Sequence, residues 1–193
     1  MGKHAEQNER RRIQILQIAL DEFITKGYYG ASTREISKIA GISSGLMFHY
    51  FESKKVLYET LVESGGMGMA FEYTETDSPI AAFEKKLTEA FQMIRSNPFA
   101  AKMFVFMGYA TYNAAQISQK AGEVFKQNDI ISQSILLIRK GQQLGEIRSG
   151  DPRALSIAFW CSIQGIAEEI ALNPDCPIPE TDWILDVLRN KEK

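Results

Sequence analysis

The chain has 193 residues, of which 45% are apolar, 24% charged and 10% aromatic, and its formal net charge is −2. This length and composition exclude a disordered, collagenous or low-complexity chain and predict a packed protein with its own hydrophobic core. Residues 1–60 carry nine basic and seven acidic side chains, whereas residues 61–193 carry thirteen and seventeen. The small basic excess, with Arg10, Arg11 and Arg12 adjacent, favours a polyanionic partner at the N-terminal end.

The cysteines and the hydropathy pattern indicate the compartment. Cys161 and Cys176 are too few for a disulfide framework, and no charged-then-apolar segment of signal type begins the chain, so we expect a cytoplasmic protein. The longest uncharged apolar stretch, residues 103–110, is far too short to span a bilayer. We therefore expect no membrane anchor.

Apolar residues recur at spacings of three and four throughout the chain, and this pattern predicts an all-α fold of about nine helices. The first helix is predicted over residues 8–26, with Gly27 as its stop signal. Thr33 stands at the N-cap position of a short second helix that ends at Gly41. Together, these signals predict the first two helices of a compact helical motif.

Serines mark the next two helix starts. Ser43 or Ser44 is predicted to cap a third helix that extends through residue 51, and Ser53 to cap a fourth over residues 54–64. Residues 64–69 read SGGMGM, and each glycine costs a helix interior about 1 kcal/mol relative to alanine, so we expect a linker or frayed helix end. Further helices are predicted near residues 79–96, 99–112, 116–144, 152–172 and 179–190.

Two short helices joined at a glycine form a helix-turn-helix pattern, whose second helix enters the DNA major groove. Gly41 suits the turn because glycine adopts a positive φ without steric cost. Phe48 and Phe51 are three residues apart, and this spacing predicts that both belong to the core.

The sequence TREISKIAGISSGLMFHYFESKKVL, residues 33–57, resembles the DNA-binding motif of the TetR family of transcriptional regulators. Together with the first helix, the resemblance covers roughly a third of the chain, and the remainder is similar only in being helical and of suitable length. It implies a helix-turn-helix DNA-binding domain over residues 1–52 and a helical ligand-binding and dimerisation domain over residues 53–193.

The resemblance also implies which residues contact double-stranded operator DNA. They are Thr33, Arg34, Ser43, Ser44, Gly45, Leu46, Met47, His49, Tyr50 and Lys54. Ser44 and Phe48 stand where lysine and tyrosine are frequent in the family, so one cationic and one hydroxyl phosphate contact are lost. Leu46 replaces a small polar residue and can make apolar contact with a thymine methyl group. These departures predict an affinity or operator sequence different from the family norm.

The middle helices are rich in methionine and aromatic side chains, which form either a core or an adaptable ligand pocket. The resemblance implies a pocket for a small-molecule effector among these helices. Its predicted lining comprises Met103, Phe104, Met107, Tyr112, Trp160 and Gln164.

A helix-turn-helix unit that reads one half-site gains affinity and register from a two-fold partner, so we expect a homodimer. Small and β-branched residues mix along the helix predicted at 152–172, and an apolar stripe follows in the last helix. The predicted interface comprises Ile157, Ser162, Gly165, Ile166, Trp183 and Val187. Burial of either stripe within one chain is the competing interpretation.

An enzyme is not predicted, because the only histidines, His4 and His49, suggest no pairing of nucleophile with base. The two cysteines and two histidines fit no zinc spacing, and SGGMGM lacks the lysine of a phosphate-binding loop, so we expect no cofactor. The sequence predicts a ligand-responsive transcriptional regulator, in particular a repressor that an effector releases from palindromic DNA. The alternatives are a ligand-independent architectural DNA-binding protein and a small-molecule carrier with a vestigial helix-turn-helix.

Overall fold

A computed structural model describes residues 3–69 and 78–191. The fold is all-α, as predicted, and eleven helices rather than nine lie within the described residues. In chain order they are α1 (Lys3–Gly30), α2 (Thr33–Ile39), α3 (Ser44–Tyr50), α4 (Lys54–Met69), α5 (Pro79–Ser96), α6 (Pro98–Ala110), α7 (Ala114–Ile117), α8 (Gln119–Gln127), α9 (Ile130–Gln143), α10 (Pro152–Leu172) and α11 (Thr181–Leu185).

The described residues form two compact units. The first contains residues 3–68 and 106–126, and the second contains residues 69, 78–105 and 127–191. The first unit therefore extends past the predicted domain boundary at residues 52 and 53, and it includes a segment from the middle of the chain. The division of function between residues 1–52 and 53–193 stays a prediction.

Helix α1 is longer at both ends than predicted. It begins at Lys3, and Gly27 forms a kink with φ 67° instead of a stop, after which one more turn continues to Gly30. Its inner face, including Ile15 and Leu20, is fully buried in the first unit. The helix itself was predicted correctly, and the error concerns the positions of its first and last residues.

The serine residues at the helix starts provide the caps. Ser32, not Thr33, caps α2, because Ser32 has an extended backbone and its Oγ accepts from the Glu35 N–H at 3.1 Å. Thr33 is already the first helical residue. Ser43 caps α3 through the Leu46 N–H, and Ser53 accepts from the Val56 N–H, each at 3.1 Å. Ser53 was predicted as a cap, and Ser43 is the correct one of the two predicted alternatives, because Ser44 is already helical.

The glycine-rich segment is helical up to Met69, so a linker over residues 64–69 is wrong, whereas the alternative prediction of a helix end agrees with the last residue of α4. Helix α4 has a buried face that includes Leu57, Tyr58, Leu61 and Val62, and the helix continues from this anchored part. Tertiary packing thus outweighs the low helix propensity of glycine.

The core of the second unit lies among α5, α9, α10 and α11. Its largest side chains include Phe83, Leu87, Leu137, Ile138 and Phe159, each at most 1% exposed. Helices α5 and α10 have the predicted bounds. Each begins at a proline that follows a capping Ser78 or Asp151.

The helix predicted over residues 116–144 is three helices. Ser118 ends α7 with an extended backbone, and Asp129 opens α9 by accepting from the Ser132 N–H at 3.1 Å. A capping side chain that binds a backbone N–H competes with continued helix at its own position. Both interruptions therefore fall at residues that favour helix ends.

The last predicted helix, residues 179–190, is reduced to the five residues of α11. The chain then turns, because the Arg148 N–H donates to the Leu188 carbonyl at 2.8 Å and the Asn190 N–H to the Glu146 carbonyl at 2.9 Å. Ile147 and Arg189 form an isolated antiparallel bridge. Local backbone bonds still reach Arg189, whose N–H donates to the Leu185 carbonyl at 3.0 Å, and the non-local bonds then pair residues 188–190 with residues 146–148.

Among the described residues, α10 is the one helix long and apolar enough to cross a membrane by length and composition. It also contributes Phe159, Ile163 and Ala167 to the core of the second unit. A core helix of a folded domain meets the same criteria. Only 22% of its most apolar stretch is buried, so much of its apolar surface faces outward.

Candidate DNA-binding surface

Helices α2 and α3 meet through a glycine turn. Gly41 has φ 66°, a value that favours glycine, and the Ile42 N–H donates to the Ser37 carbonyl at 3.0 Å. Ile36 of α2 and Met47 of α3 are both buried and fix the two helices in the first unit. The local sequence therefore forms the predicted helix-turn-helix.

Five residues on the outer side of α3 are exposed to solvent. They are Ser44, Gly45, Leu46, Phe48 and His49. Four of the five were predicted to contact DNA, together with the adjoining Ser43, which is also exposed. Their common exposure gives the short helix a continuous outward surface.

The burial of Met47 and Phe48 is the reverse of what the sequence predicts. Met47, expected to reach DNA, is 1% exposed, whereas Phe48, expected in the core, is 49% exposed. Phe51 is buried as predicted, but it lies beyond the last residue of α3 and its backbone is extended. The spacing of three does not place Phe48 and Phe51 on one face, because the helix ends between them.

Tyr50 is half-buried and links the recognition helix to the start of α1. Its hydroxyl donates to the Asn8 Oδ1 at 3.2 Å, and the His49 ring packs edge-on against its ring. Asn8 was not among the predicted site residues, since no local pattern relates positions 42 residues apart. It orients a side chain at the border of the outward surface.

The arginine cluster is partly structural. Arg11 donates to the Ala40 carbonyl at 3.3 Å, at the C-terminal end of α2, and Arg12 lies 5.1 Å from the centroid of the Phe51 ring. Cations at helix C-termini and over aromatic rings are stabilising. Arg34, at the start of α2, is exposed, and Thr33 beside it is half-buried.

Lys54 lies at the first position of α4, where its ammonium is bound within the first unit. It donates to the carbonyls of Tyr28 at 2.8 Å and Ala31 at 2.9 Å, and it lies 4.6 Å from the centroid of the Tyr28 ring. An ammonium has three donors, so two of them are used by these carbonyls. Its predicted phosphate contact stays a prediction.

Two hydrogen bonds and an ion pair between side chains join α4 to residues 113–120 within the first unit. The Tyr58 hydroxyl donates to the Asn113 Oδ1 at 3.4 Å, Ser118 Oγ donates to the Glu59 carboxylate, and Lys120 pairs with Glu63. Local sequence patterns do not indicate these contacts, because their partners are more than fifty residues apart. They explain why a segment from the middle of the chain belongs to the same unit as the helix-turn-helix.

Aromatic rings fill the space behind these contacts. Tyr58 packs edge-on against Phe23 at 5.5 Å, Phe106 at 5.4 Å and Tyr28 at 5.1 Å between ring centroids. Burial raises the pKa of the Tyr58 phenol to about 12, with a further contribution from Tyr28. The phenol is therefore held in its neutral, hydrogen-donating form.

Comparison with known proteins agrees with the geometry of the helix-turn-helix. Residues 15–61, which contain the turn and α3, match the model of the bacterial regulatory proteins of the tetR family. This segment is therefore a TetR-family DNA-binding domain. The N-terminal match thus includes the residues whose outward surface is described above.

Relatives of this chain are transcriptional regulators. The HTH-type transcriptional regulator RutR of Escherichia coli K12 is 24% identical over 170 residues, which cover 86% of this chain and 78% of RutR. The HTH-type transcriptional repressor KstR2 of Mycolicibacterium smegmatis is 36% identical over 52 residues, or 27% of this chain and 25% of KstR2. The longer match extends well beyond the helix-turn-helix.

The fold also matches solved structures. The structure of AibR in complex with isovaleryl coenzyme A and operator DNA aligns with a TM-score of 0.63 and 16% identity. The alignment covers 91% of this chain and 94% of that one. The likeness therefore extends over most of the fold of this chain.

The six residues predicted to line an effector pocket are divided between the two units of the chain. Met107 and Tyr112 lie in the first unit, where Met107 is buried and Tyr112 is 86% exposed. The other four, Met103, Phe104, Trp160 and Gln164, lie in the second unit. There Gln164 Nε2 donates to the Phe104 carbonyl at 2.9 Å, which brings two of them together.

Trp160 has partners of its own in the second unit. Its Nε1 donates to Ser134 Oγ at 3.1 Å, and its ring lies 4.9 Å from that of Phe159. An open cleft of about 310 Å³ in this unit is lined by other residues, including Gln142 and Asn190. The predicted pocket lining stays a prediction.

The residues predicted for the dimer interface differ in exposure. Ile157, Gly165 and Trp183 are exposed, and Trp183 is 67% exposed. Ser162, Ile166 and Val187 are half-buried. Exposed apolar and small side chains thus occur on α10 and again on α11.

Proposed function

We propose that this chain is a ligand-responsive transcriptional repressor, which binds palindromic operator DNA as a homodimer and is released by a small-molecule effector in the cytoplasm. The observation that carries the proposal is the outward surface of α3, held on α2 by the Gly41 turn and the buried Met47. A recognition helix requires such a surface, with its opposite side fixed in a rigid unit. RutR, KstR2 and AibR support the DNA-binding part of the proposal.

The proposed DNA contacts come from the two short helices and the start of α4. Thr33, Arg34 and Lys54 serve the phosphate backbone, and the α3 residues face the base edges. Phosphate contacts orient the protein without reading sequence, whereas base contacts supply specificity. Met47 acts indirectly in this scheme, because its buried side chain holds α3 in place.

The proposed dimer uses the exposed stripe of α10, which consists of Ala154, Ile157, Ala158, Cys161, Gly165 and Leu172. Gly165 supports this assignment, because an added Cβ would meet nothing within 4 Å in its own chain. Packing inside one chain therefore does not explain why glycine, which disfavours helix by about 1 kcal/mol, occupies this position. Close approach of a second helix gives one.

The effector is proposed to bind in the second unit, where Met103, Phe104, Trp160 and Gln164 are the candidate contacts. AibR, solved with isovaleryl coenzyme A and operator DNA, supports an effector of small-molecule size. The effector would act by preferring the conformation in which the two recognition helices are wrongly spaced for DNA. A thousandfold preference would correspond to roughly 4 kcal/mol.

The first test measures fluorescence anisotropy of the full chain with DNA from upstream of its own gene and with shuffled DNA, at fixed near-physiological salt. Preference for the native DNA supports the regulator, and that duplex then serves to screen effectors that lower the affinity. Equal affinity for both duplexes would contradict the proposal in favour of an architectural protein. No affinity for either, or for genomic fragments, would favour a carrier.

A further inference from the structure

The outward surface of α3 lacks the groups that read purines most strongly. Its seven residues, SGLMFHY, include no arginine, lysine, asparagine or glutamine. Those side chains make the bidentate hydrogen bonds that identify guanine and adenine in the major groove. His49 is the longest hydrogen-bonding side chain among the fully exposed residues of this helix.

Two large apolar side chains occupy the same surface. Leu46 is 41% exposed and Phe48 is 49% exposed. Residues of an α-helix are separated by about 100° around its axis, so Leu46 and Phe48 lie on either side of the buried Met47. Gly45 and His49 lie opposite Met47, and the two apolar side chains therefore flank this outermost ridge.

Leaving these side chains in water is unfavourable, and no packing partner inside the unit covers their exposed parts. The major groove offers one apolar feature of matching size, the C5-methyl group of thymine. We propose that Leu46 and Phe48 determine operator specificity by contacting thymine methyl groups on the two sides of the Gly45–His49 ridge. This inference rests on the proposed DNA-binding function and adds Phe48 as a specificity-determining residue.

The test begins with selection of preferred sites from a random duplex library by the full chain. In the selected duplex, each thymine is then replaced by uracil, which removes only the C5-methyl group and keeps base pairing. We expect at least one position in each half-site where uracil lowers the affinity about fourfold, the effect of removing one methyl group from apolar contact. Other positions should tolerate uracil.

Protein variants assign each methyl contact. In Phe48→Ala, the duplex with thymine should lose affinity and replacement of one particular thymine by uracil should have no further effect. Leu46→Ala should do the same for a different thymine. Phe48→Tyr retains the ring and should retain the thymine preference. Met67→Ala, which removes an exposed apolar side chain on α4, is the control and should leave the uracil effects unchanged.

The outcomes separate this inference from the function on which it rests. A preferred site that tolerates uracil at every position would overturn the methyl contacts and leave the regulator intact. Uracil effects that persist in both alanine variants would assign the methyl contacts to other residues. Failure to select any preferred site would overturn the inference and the proposed function together. Circular dichroism of the variants checks that the half-exposed substitutions leave the helices folded.

Discussion

The Lys54 Nζ lies 2.8 Å from the carbonyl oxygen of Tyr28 and 4.6 Å from the centroid of the same residue's ring. One cation thus joins the start of α4 to the end of α1, just after the kink at Gly27. The carbonyls that it binds lie at the end of a helix, where backbone oxygens lack partners within the helix. Lys54 therefore has a structural role whether or not it also contacts DNA.

Lys54→Ala should lower the free energy of unfolding by about 1.5–3 kcal/mol, since hydrogen bonds to a charged group are lost. We also expect the variant to bind all DNA sequences more weakly and to reduce the slope of log affinity against log salt by about one unit. Urea unfolding and anisotropy at several salt concentrations measure the two effects separately.

The control is Lys85→Ala, which removes an exposed cation of the second unit. It should change neither the unfolding free energy nor the salt slope appreciably. If Lys54→Ala reduced stability but left the slope unchanged, the ammonium would serve only the carbonyls of Tyr28 and Ala31. The proposed phosphate contact would then be wrong.

Met47→Ala should behave as a core substitution. Truncation of a buried methionine costs about 2–5 kcal/mol, and we expect a loss of stability in this range. Base preference should be unchanged among the folded molecules, because the Met47 side chain is buried and is not part of the outward surface of α3. Urea unfolding and repeated site selection with the variant provide the measurement. A changed base preference at unchanged stability would restore the direct contact that the sequence predicts.

Tyr58 predicts a dependence of stability on alkaline pH. Its pKa is about 12 in the folded chain and 10.0 in the reference state, so only the unfolded state loses the proton between these values. Stability is therefore retained below pH 10 and lost as the pH rises towards 12. The full difference corresponds to about 2.7 kcal/mol, of which about 1.4 kcal/mol should be lost at pH 11.

Tyr58→Phe removes this contribution, so the stability gap between wild type and variant should narrow by that amount from pH 9 to pH 11. Urea unfolding at the two pH values measures the gap. Tyr109→Phe replaces an exposed tyrosine of the same unit and controls for the loss of a hydroxyl group. A constant gap for Tyr58→Phe would show that the buried phenol does not couple ionisation to unfolding.

The sequence predicts the parts of this fold that depend on local signals. Pro79 and Pro152 open their helices after capping residues, and the bounds of α5 and α10 were predicted correctly. Errors occur where non-local contacts decide. The Arg148–Leu188 backbone bond pairs the end of the chain with a distant segment where a longer helix was predicted, and the anchored face of α4 keeps the glycine segment helical.

The candidate site shows the same limit. A motif of about 25 residues identified the helix-turn-helix and most of its outward positions. It could not reveal that α3 ends before Phe51, nor that Met47 is the residue of α3 that packs inward while Phe48 is exposed. Asn8, Asn113 and Ser118 contact residues distant in sequence, so no local pattern could indicate them.

Cys161 offers a direct test of the proposed dimer, since it lies in the middle of the exposed stripe of α10. In a two-fold interface, residues near the axis meet their own counterparts. Oxidation should therefore link two copies of a Cys176→Ser variant through Cys161, whereas Cys161→Ser should remain unlinked. Non-reducing electrophoresis detects the product. A dimer in solution that gives no Cys161 cross-link would place this residue away from the axis.

Gly165 should determine how closely the two α10 helices approach. Within one chain, a Cβ added at this position has no neighbouring atom within 4 Å. The Cβ of alanine or leucine therefore causes no clash inside its own chain. Loss of association in a variant can therefore be assigned to the second copy. Leucine adds bulk to both sides of a two-fold interface, and overpacking typically costs about 1–3 kcal/mol per site.

We expect Gly165→Leu to raise the dimer dissociation constant at least tenfold, which corresponds to about 1.4 kcal/mol. Light scattering over a dilution series measures it. Gly68→Ala, at another helical position where a Cβ meets nothing, is the control and should leave the dissociation constant unchanged. Gly165→Ala should have an intermediate effect on association, because it favours helix but adds a methyl group at the contact. Unchanged dimerisation of Gly165→Leu would move the interface away from α10.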